Sequence, residues 1–295
     1  MSYIHCIVTR FSFRFRLDDP TDKLLSDIRL DERIRLFEKF CYSSIVNQIN
    51  KNFYWILIID PLLSTKYVDQ LNQLINKHKN SLIYNTKGPR EIWLHTWDWK
   101  ESTGIKLGKV DWILPYFDNI VKTPKYMITT RLDDDDCLVY NFTDLVNKQL
   151  NKKPYVNGFR YISFAVGYQH YVKQQALRLH KLPMIALGLT LITEINKYPM
   201  CVYLGCHTHI LGYIKDPSKH VQMLELYQRN KEYSKNPAII RKQFQDRLSV
   251  IRTGLPVWIR NVHDFNLQKN IGRNINSNQD TNKNKLILKD KFNVK

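Results

Sequence analysis

Apolar residues along the first 150 positions follow two periods that alternate along the chain. Short apolar runs, typical of buried strands, alternate with longer stretches in which apolar residues recur every three or four positions, as on one face of a helix. This alternation is typical of an α/β domain with a largely parallel sheet. The predicted strands are residues 3–9, 53–59, 81–84 and 125–132, and the predicted helices are residues 26–49, 66–78, 110–121 and 140–150.

The alternation weakens in the second half of the chain. Residues 155–172 predict short strands with turns at Asn157-Gly158 and at Gly167. Residues 183–194 are apolar and fit either a helix or a strand. Short strands are also predicted at residues 202–204 and 257–259, and a helix at residues 219–244.

The end of the chain differs in composition from the rest. Asn and Lys dominate from residue 266 onward, so we expect residues 266–295 to form a flexible polar tail. The remainder predicts a single domain over residues 1–265. Its two halves are about residues 1–150, where the alternation is strong, and about residues 151–265.

Composition and charge narrow the class of protein. Of 295 residues, 43% are hydrophobic, which is enough to build a sizeable core. The formal net charge of +18 predicts attraction to an anion, which could be a nucleic acid, an anionic membrane face or a phosphorylated small molecule. The longest apolar runs are too short to cross a bilayer. The first residues, Met1 to His5, lack the pattern of a secretory signal, so a cytoplasmic location is expected.

Four consecutive aspartates, Asp133 to Asp136, follow the strand predicted at residues 125–132. Carboxylates crowded in this way repel one another, so either a cation lies beside them or at least one pKa is raised. Oxygen ligands of this kind suit Mg²⁺ or Mn²⁺, which in turn recruit phosphate oxygens. The alternative is a solvated acidic turn before the next helix.

The side chains of an extended strand alternate between its two faces. If the strand continues through the aspartates, Asp133 and Asp135 point the same way and Asp134 points the other way. The two carboxylates on one face could then share one metal–nucleotide site. Arg131 would lie beside them as a counter-charge or a phosphate contact.

Other polar residues follow the predicted strands at the same edge of the sheet. Thr9 and Arg10 end the first strand, and Asp60 ends the second. Ligands of parallel sheets bind outside the carboxyl ends of the strands. We therefore expect these residues to lie near the four aspartates.

Residues 129–136, which read TTRLDDDD, resemble the aspartate (DxD) motif of GT-A glycosyltransferases. The resemblance is closest to the putative rhamnosyltransferase family, whose pattern is roughly T-R-L-D-x-D-D, and it spans about residues 3–266. Further segments agree with that family in order: Thr9-Arg10-Phe11, Arg35-Leu36-Phe37-Glu38 with Ser43-Ser44 and Gln48, Phe53-Tyr54-Trp55 with Asp60, and Trp258-Ile259-Arg260 with His263 and Asn266.

The resemblance implies a GT-A (Rossmann-like) fold, with a mixed, mostly parallel sheet flanked by helices. It also implies Mn²⁺ or Mg²⁺, and a nucleotide-sugar donor such as a UDP- or dTDP-sugar bound by the half at about residues 1–150. The residue roles that it implies are Thr9 and Arg10 in the nucleotide pocket, Asp60 near the base or ribose, Asp133 at the ribose or metal, Asp135 at the metal and diphosphate, and His263 or His209 completing the metal shell.

The reaction that the resemblance implies is transfer of a sugar, such as a deoxyhexose of the rhamnose type, to a hydroxyl group. The acceptor would be a glycan, a protein or a lipid, and it would bind to the half at about residues 151–265. The basic surface also suits an anionic membrane face. A carboxylate base would activate the hydroxyl in an inverting mechanism. Glu194 is the first candidate for this base, and Asp264 and Asp216 are weaker candidates.

Two other functions fit parts of the sequence. A metal-dependent nuclease or nucleotidyltransferase also combines paired carboxylates with positive charge. A non-catalytic nucleic-acid-binding protein would use the tail and the basic surface, and the aspartates would then be incidental. Neither is our first interpretation, so no dedicated nucleic-acid partner is expected.

Overall fold

The structure is a computed structural model with side chains. It describes residues 3–13, 21–85, 110, 112–117, 124–152, 158–182, 185–203, 247–264 and 280–294. Its strands are β1 (Tyr3–Phe11), β2 (Tyr54–Ile59), β3 (Ser81–Asn85), β4 (Tyr126–Asp133), β5 (Cys137–Leu138), β6 (Phe159–Phe164), β7 (Val166–Tyr171), β8 (Ala176–Lys181), β9 (Thr190–Glu194), β10 (Leu248–Ile251) and β11 (Trp258–Val262).

The helices of the described ranges lie between and after these strands. A nearly continuous helical stretch follows β1 and contains a π-helical segment, Phe37–Tyr42. The helices are α1 (Thr21–Leu24), α2 (Asp27–Leu36), α3 (Ser43–Val46), α4 (Thr65–Ile75), a 3₁₀ turn (Leu114–Tyr116), α5 (Phe142–Lys152) and α6 (Thr281–Phe292). None of the helices described is both long enough and apolar enough to span a membrane.

The larger sheet has seven strands in the order β10-β6-β9-β4-β1-β2-β3. Strands β4, β1, β2 and β3 run parallel to one another, whereas β9 is antiparallel to both of its neighbours. The predicted mixed, mostly parallel α/β sheet is thus confirmed. Because β1, β2 and β4 are parallel, their carboxyl ends meet at one edge.

Each face of the larger sheet carries its own apolar cluster, because alternate side chains of a strand point to opposite faces. One cluster packs helices α2 and α4 against residues such as Ile7, Trp55 and Leu132. The other contains Val8 and Ile58 from the opposite face. Burial on both faces explains why the central strands are almost continuously apolar.

A smaller sheet, in the order β5-β11-β7-β8, lies beside the first. Only Ala165 separates β6 of the large sheet from β7 of the small one. Gly167 lies inside β7 and not in the turn expected there. A Cβ atom at Gly167 would lie 2.1 Å from the indole of Trp258, so the glycine makes room for that ring.

The C-terminal segment corrects another prediction. Residues 280–294 were expected to belong to a flexible tail, but they form helix α6 with its flanking residues. Leu288, Phe292 and Val294 are buried in the main apolar cluster. The Asn- and Lys-rich composition concealed these three apolar anchors.

Several other predictions can be compared with the described elements. The helix predicted at residues 26–49 is present, interrupted by the π-helical segment. The ambiguous residues 183–194 end in the strand β9, and only a 3₁₀ turn is described within residues 110–121. The helix predicted at residues 219–244 lies outside the described residues.

Candidate functional site

Three charged side chains meet near the carboxyl ends of β1 and β4. Arg10 and Asp133 are direct partners in the register of these parallel strands. Arg10 Nη2 donates to Asp133 Oδ1 at 2.7 Å, and Arg131 Nε lies 3.5 Å from the same oxygen. Arg131 and Asp133 are two residues apart in β4, so they share a face of the sheet. Arg131 thus lies beside Asp133, where it can act as a counter-charge or as a phosphate contact.

Tyr203 packs against both of these arginines. The guanidinium carbons of Arg10 and Arg131 lie 5.2 Å and 5.3 Å from the centre of its ring. Its hydroxyl donates to the carbonyl oxygen of Val8 at 3.3 Å. Burial raises the pKa of Tyr203, so the ring stays neutral and supports the two cations through cation–π contacts.

A second charged group lies on the side of helix α2. Arg33 Nε donates to Asp134 Oδ2 at 3.1 Å, and Arg33 Nη2 donates to the other oxygen of the same carboxylate. Arg33 Nη1 donates to Asp135 Oδ2 at 2.8 Å. His263 Nε2 lies 2.8 Å from that same oxygen, and the backbone N–H of Ser12 donates to Asp134 Oδ2 at 3.2 Å.

These surroundings give neighbouring aspartates opposite pKa shifts. Burial would raise the pKa of Asp135, but the Arg33 guanidinium and the hydrogen bond from His263 lower it to about 2. Burial raises the pKa of Asp136 well above its ordinary value, and the charges of Asp135 and Asp133 raise it further. The repulsion that the sequence predicts is thus relieved by arginine at some positions and by a raised pKa at Asp136.

The small sheet holds the acidic turn in place through Asn261. Its backbone N–H donates to Asp136 Oδ1 at 2.9 Å, and its amide nitrogen donates to the carbonyl oxygen of Asp135. His170 Nδ1 lies 2.6 Å from the Asn261 side-chain oxygen. Strand β11 therefore positions the turn as well as His263, which follows it.

Arg29 lies one helical turn before Arg33 and faces the same buried region. Its Nη1 donates to Ser12 Oγ at 3.2 Å and to the carbonyl oxygen of Leu24 at 2.6 Å. Burial, together with the charge of Arg33, lowers its pKa to about 10, so it remains cationic near neutral pH.

The prediction that Asp133 and Asp135 share one face is wrong. Strand β4 ends at Asp133, and the chain turns at Asp134 and Asp135. Asp133 consequently faces Arg10 and Arg131, whereas Asp134 and Asp135 both face Arg33. The change of direction arises because the strand does not continue in extended conformation through the aspartates.

The other residues expected in the nucleotide pocket have different surroundings. Thr9 is fully buried, and its Oγ1 accepts a hydrogen bond from Trp55 Nε1 at 3.0 Å, on the face opposite Arg10. This placement corrects the expectation that Thr9 lines the pocket. Asp60 is buried at the end of β2, where its Oδ1 accepts from the backbone N–H of Leu62 at 2.9 Å.

Glu194 does not reach this edge of the sheet. It ends β9, which is antiparallel to β4, and it pairs with Tyr126 at the beginning of that strand. The strand from Tyr126 to Asp133 spans roughly 23 Å, so Glu194 lies at the opposite edge, where it pairs with Lys197 at 3.2 Å. This position corrects the prediction that Glu194 is the base for chemistry at the aspartates.

The remaining candidates are divided between the described and the undescribed residues. Asp264 is exposed and forms an ion pair with Lys173, next to His263 along the chain. His209 and Asp216 lie outside the described residues.

Sequence reasoning missed Arg33, Tyr203 and Asn261. For Arg33 a signal was available, because Arg29 and Arg33 are spaced four apart on the same side of α2 as Leu30, the side predicted to be apolar. An arginine on a buried helix face needs an acidic partner. No local pattern marked Tyr203 or Asn261.

Asp135 and His263 offer one oxygen and one nitrogen that a divalent ion could use as ligands. In the structure Asp135 Oδ2 and His263 Nε2 lie 2.8 Å apart, within hydrogen-bond distance of each other. No group of three or more His, Cys, Asp or Glu side chains that could hold a metal occurs among the residues described. An ion here would therefore need further ligands, such as water or phosphate oxygens, as Mg²⁺ commonly has.

Comparison with solved structures gives distant similarities. TarS residues 1–349 from S. aureus, in complex with UDP, match with a TM-score of 0.43 and 9% identity, over 89% of this chain and 61% of that one. A putative nucleotide-diphospho-sugar transferase from Desulfovibrio desulfuricans matches with a TM-score of 0.35 and 9% identity, over 88% and 82%. The chain spans about three fifths of the TarS fragment.

Sequence comparison gives a match in the first third of the chain. No curated protein sequence matches. Residues 8–94 match the family model described as "Putative rhamnosyl transferase". These residues include Arg10, Arg33 and Asp60, whereas the aspartates at 133–136 lie outside the match. The resemblance to the rhamnosyltransferase family is thus confirmed over residues 8–94, the part of the chain that supplies the end of β1 and all of β2 and α2.

Proposed function

We propose that the chain is a metal-dependent glycosyltransferase that moves a sugar from a nucleotide-sugar donor to a hydroxyl acceptor. The observation that carries the proposal is the cluster of Arg10, Arg131 and Asp133 beside the Asp135–His263 pair, at the carboxyl edge of a mostly parallel sheet. Such an edge is where open α/β sheets bind ligands. The family match over residues 8–94 supports the same class of enzyme and makes rhamnose the first sugar to test.

Arg10 and Arg131 suit the diphosphate of the donor. Arg10 and Arg131 are both buried and both lie against Asp133, so this group has two positive charges for one negative charge. Guanidinium groups bind phosphate oxygens through charge-assisted hydrogen bonds. The donor would be a UDP- or dTDP-sugar, with Asp60 on the side of the nucleoside.

Asp135 and His263 supply the ion's protein ligands in this proposal. They would hold Mn²⁺ or Mg²⁺ together with water or phosphate oxygens. When bound, the ion supplies Lewis-acid stabilisation of the nucleoside diphosphate as it leaves. Asn261 keeps the turn in position through the backbone oxygen of Asp135 and the carboxylate of Asp136.

The acceptor side is less constrained by the described residues. A glycan, protein or lipid hydroxyl would need a base to remove its proton. Among the described candidates Asp264 is nearest along the chain to the site, since it follows His263. An acceptor on an anionic membrane face would be attracted by the net charge of +18.

Release of nucleoside diphosphate from a panel of sugar nucleotides tests the proposal. We expect release that requires Mn²⁺ or Mg²⁺, stops with EDTA and falls about a hundredfold or more in Asp135→Asn, which removes charge from the turn. Asp31→Asn is the matched control, because Asp31 is exposed and pairs with Lys66 away from the turn.

Two results would contradict the proposal. One is sugar-nucleotide turnover that is the same with EDTA and in Asp135→Asn, and the other is phosphodiester cleavage in place of sugar transfer. Mass spectrometry of the product would identify the sugar and the acceptor.

A further inference from the structure

Arg33 occupies the position between two carboxylates where an added cation would otherwise be expected. Three of its nitrogen atoms take part: Nε and Nη2 bind Asp134, and Nη1 binds Asp135. The side chain is only 8% exposed. A buried guanidinium interacts strongly with neighbouring charges because water screens it poorly.

The arginine and the imidazole share one oxygen atom. Asp135 Oδ2 lies 2.8 Å from Arg33 Nη1 and 2.8 Å from His263 Nε2. Arg33 Nη1 and His263 Nε2 are themselves 3.4 Å apart. A divalent ion bound between Asp135 and His263 would therefore lie close to a positive charge that belongs to the protein.

The neighbouring carboxylates add little uncompensated negative charge. Asp134 is held by Arg33 through both of its oxygens. Asp133 lies against Arg10 and Arg131. The attraction of the acidic turn for an added cation is thus reduced by arginines that are already in place.

We propose that Arg33 is the resident counter-cation of the acidic turn and weakens the affinity of the Asp135–His263 pair for a divalent ion. The inference rests on the divalent ion of the proposed function. Arg33 acts through Asp135 and is a positioning residue. It keeps the carboxylates together when the ion is absent, and it makes the ion exchangeable.

Titration of the full-length protein with Mn²⁺, with the free ion measured by electron paramagnetic resonance, tests this role without substrate. Arg33→Gln removes the charge, so we expect Mn²⁺ to bind at least tenfold more tightly than in the unmodified protein. Arg33→Lys keeps the charge, and its affinity should stay within about threefold of the original. Arg35→Gln is the matched control on the same helix, because Arg35 is exposed and pairs only with Glu32 among the contacts described; it should leave the affinity unchanged.

Arg33→Gln leaves the buried charge of Asp134 without its partner, which can prevent folding. The double variant Arg33→Met with Asp134→Asn removes both charges and avoids this problem. Since the double variant also lacks the Arg33 guanidinium that faces Asp135, we expect it to bind Mn²⁺ more tightly too. Circular dichroism would establish that each variant is folded.

The inference is overturned if folded Arg33→Gln or the folded double variant binds Mn²⁺ no more tightly than the unmodified protein. It is also overturned if neither the unmodified protein nor any variant binds Mn²⁺. An equal gain in Arg35→Gln would also overturn it, because the effect would then be one of net charge. Absence of sugar-nucleotide turnover together with the tenfold gain would reject the proposed function and leave the role of Arg33 intact.

Discussion

Individual buried charges decide how the acidic turn is stabilised. Four adjacent aspartates would repel one another in isolation, but Arg10, Arg33 and Arg131 bind three of them, and Asp136 has a raised pKa. The partners come from three different elements of the fold. Removing Arg33 would leave the buried carboxylate of Asp134 without its counter-charge, which typically costs about 3–5 kcal/mol.

Buried histidines make the stability of the fold sensitive to acid. His5 lies in the middle of β1, where its Nε2 is 2.9 Å from Thr130 Oγ1, and burial lowers its pKa to about 3. In the unfolded chain its pKa returns to about 6.5, so protons favour the unfolded state below that pH. The contribution of neutral His5 is complete above about pH 6.5 and is lost as the pH falls towards 3.

We therefore expect the free energy of unfolding to fall by up to about 1.4 kcal/mol per pH unit for this residue between about pH 6 and pH 4. His5→Leu should remove that part of the slope. Thr130 remains hydrogen-bonded to Thr190 at 2.8 Å in the variant, so its hydroxyl is not left without a partner. Urea unfolding at several pH values measures the slope, and an unchanged slope in His5→Leu would contradict the prediction.

At the scale of elements, the contact between β7 and β11 depends on a glycine. Gly167 lies directly beneath the fully buried indole of Trp258, whose Nε1 donates to the carbonyl oxygen of Phe164 at 2.7 Å. The ring is thus fixed by a hydrogen bond as well as by packing. A side chain at Gly167 would compete with it for the same space.

Gly167→Ala is expected to destabilise the protein by about 1–3 kcal/mol, because the new methyl group overlaps the Trp258 ring. Gly254→Ala is the matched control, since a Cβ atom there meets nothing within 4 Å. Thermal unfolding should show a midpoint lowered by several degrees in the first variant only. Equal midpoints in the two variants would show that Trp258 can move aside at little cost.

Helix α6 belongs to the folded core although its composition is that of a tail. Asp280 caps it by accepting hydrogen bonds from the backbone N–H groups of Asn282 and Lys283. The backbone N–H of Tyr140 donates to the carbonyl oxygen of Lys291 at 3.0 Å, which ties the helix to the segment before α5.

Leu288→Ala should lower the free energy of unfolding by about 2–5 kcal/mol, because it removes a buried side chain from the main cluster. Leu286 lies half a turn away and is 58% exposed, so Leu286→Ala should change the value by less than about 0.5 kcal/mol. Chemical denaturation measures both. Similar small effects at the two positions would mean that α6 is not packed in solution.

At the scale of the whole molecule, net charge and the site act together. The chain has a formal net charge of +18. At the site, Arg10 and Arg131 both face the single carboxylate of Asp133. The phosphates of the proposed donor would therefore be attracted both at long range and at the site. Salt weakens the long-range part, because the screening length falls to about 3 Å at 1 M.

We expect the affinity for UDP or dTDP to decrease several-fold between about 0.05 M and 0.5 M salt. Uridine or thymidine without phosphate is the matched control and should show little dependence on salt. Isothermal titration calorimetry measures both series. If nucleoside and nucleotide respond equally, the phosphates do not face the arginines.

Local pattern determined much of the element content. The periods of the apolar residues predicted β1, β2 and β4 within two residues and α4 within three, because strands buried on both faces and amphipathic helices leave a direct trace in sequence. The crowding of like charges also marked the aspartates as a place that needs cations. In the C-terminal segment the same reasoning failed, because a few buried residues among many polar ones are enough to dock a helix.

Only the tertiary structure decided which charges meet. The turn at Asp134 and Asp135 separates these carboxylates from Asp133, and Arg33, Tyr203 and Asn261 reach the site from distant parts of the chain. The antiparallel direction of β9 moved Glu194 to the far edge of the sheet. Residue type and spacing determine the chemistry that a segment can offer, whereas strand direction and turn geometry, which depend on long-range pairing, determine which of those groups act together.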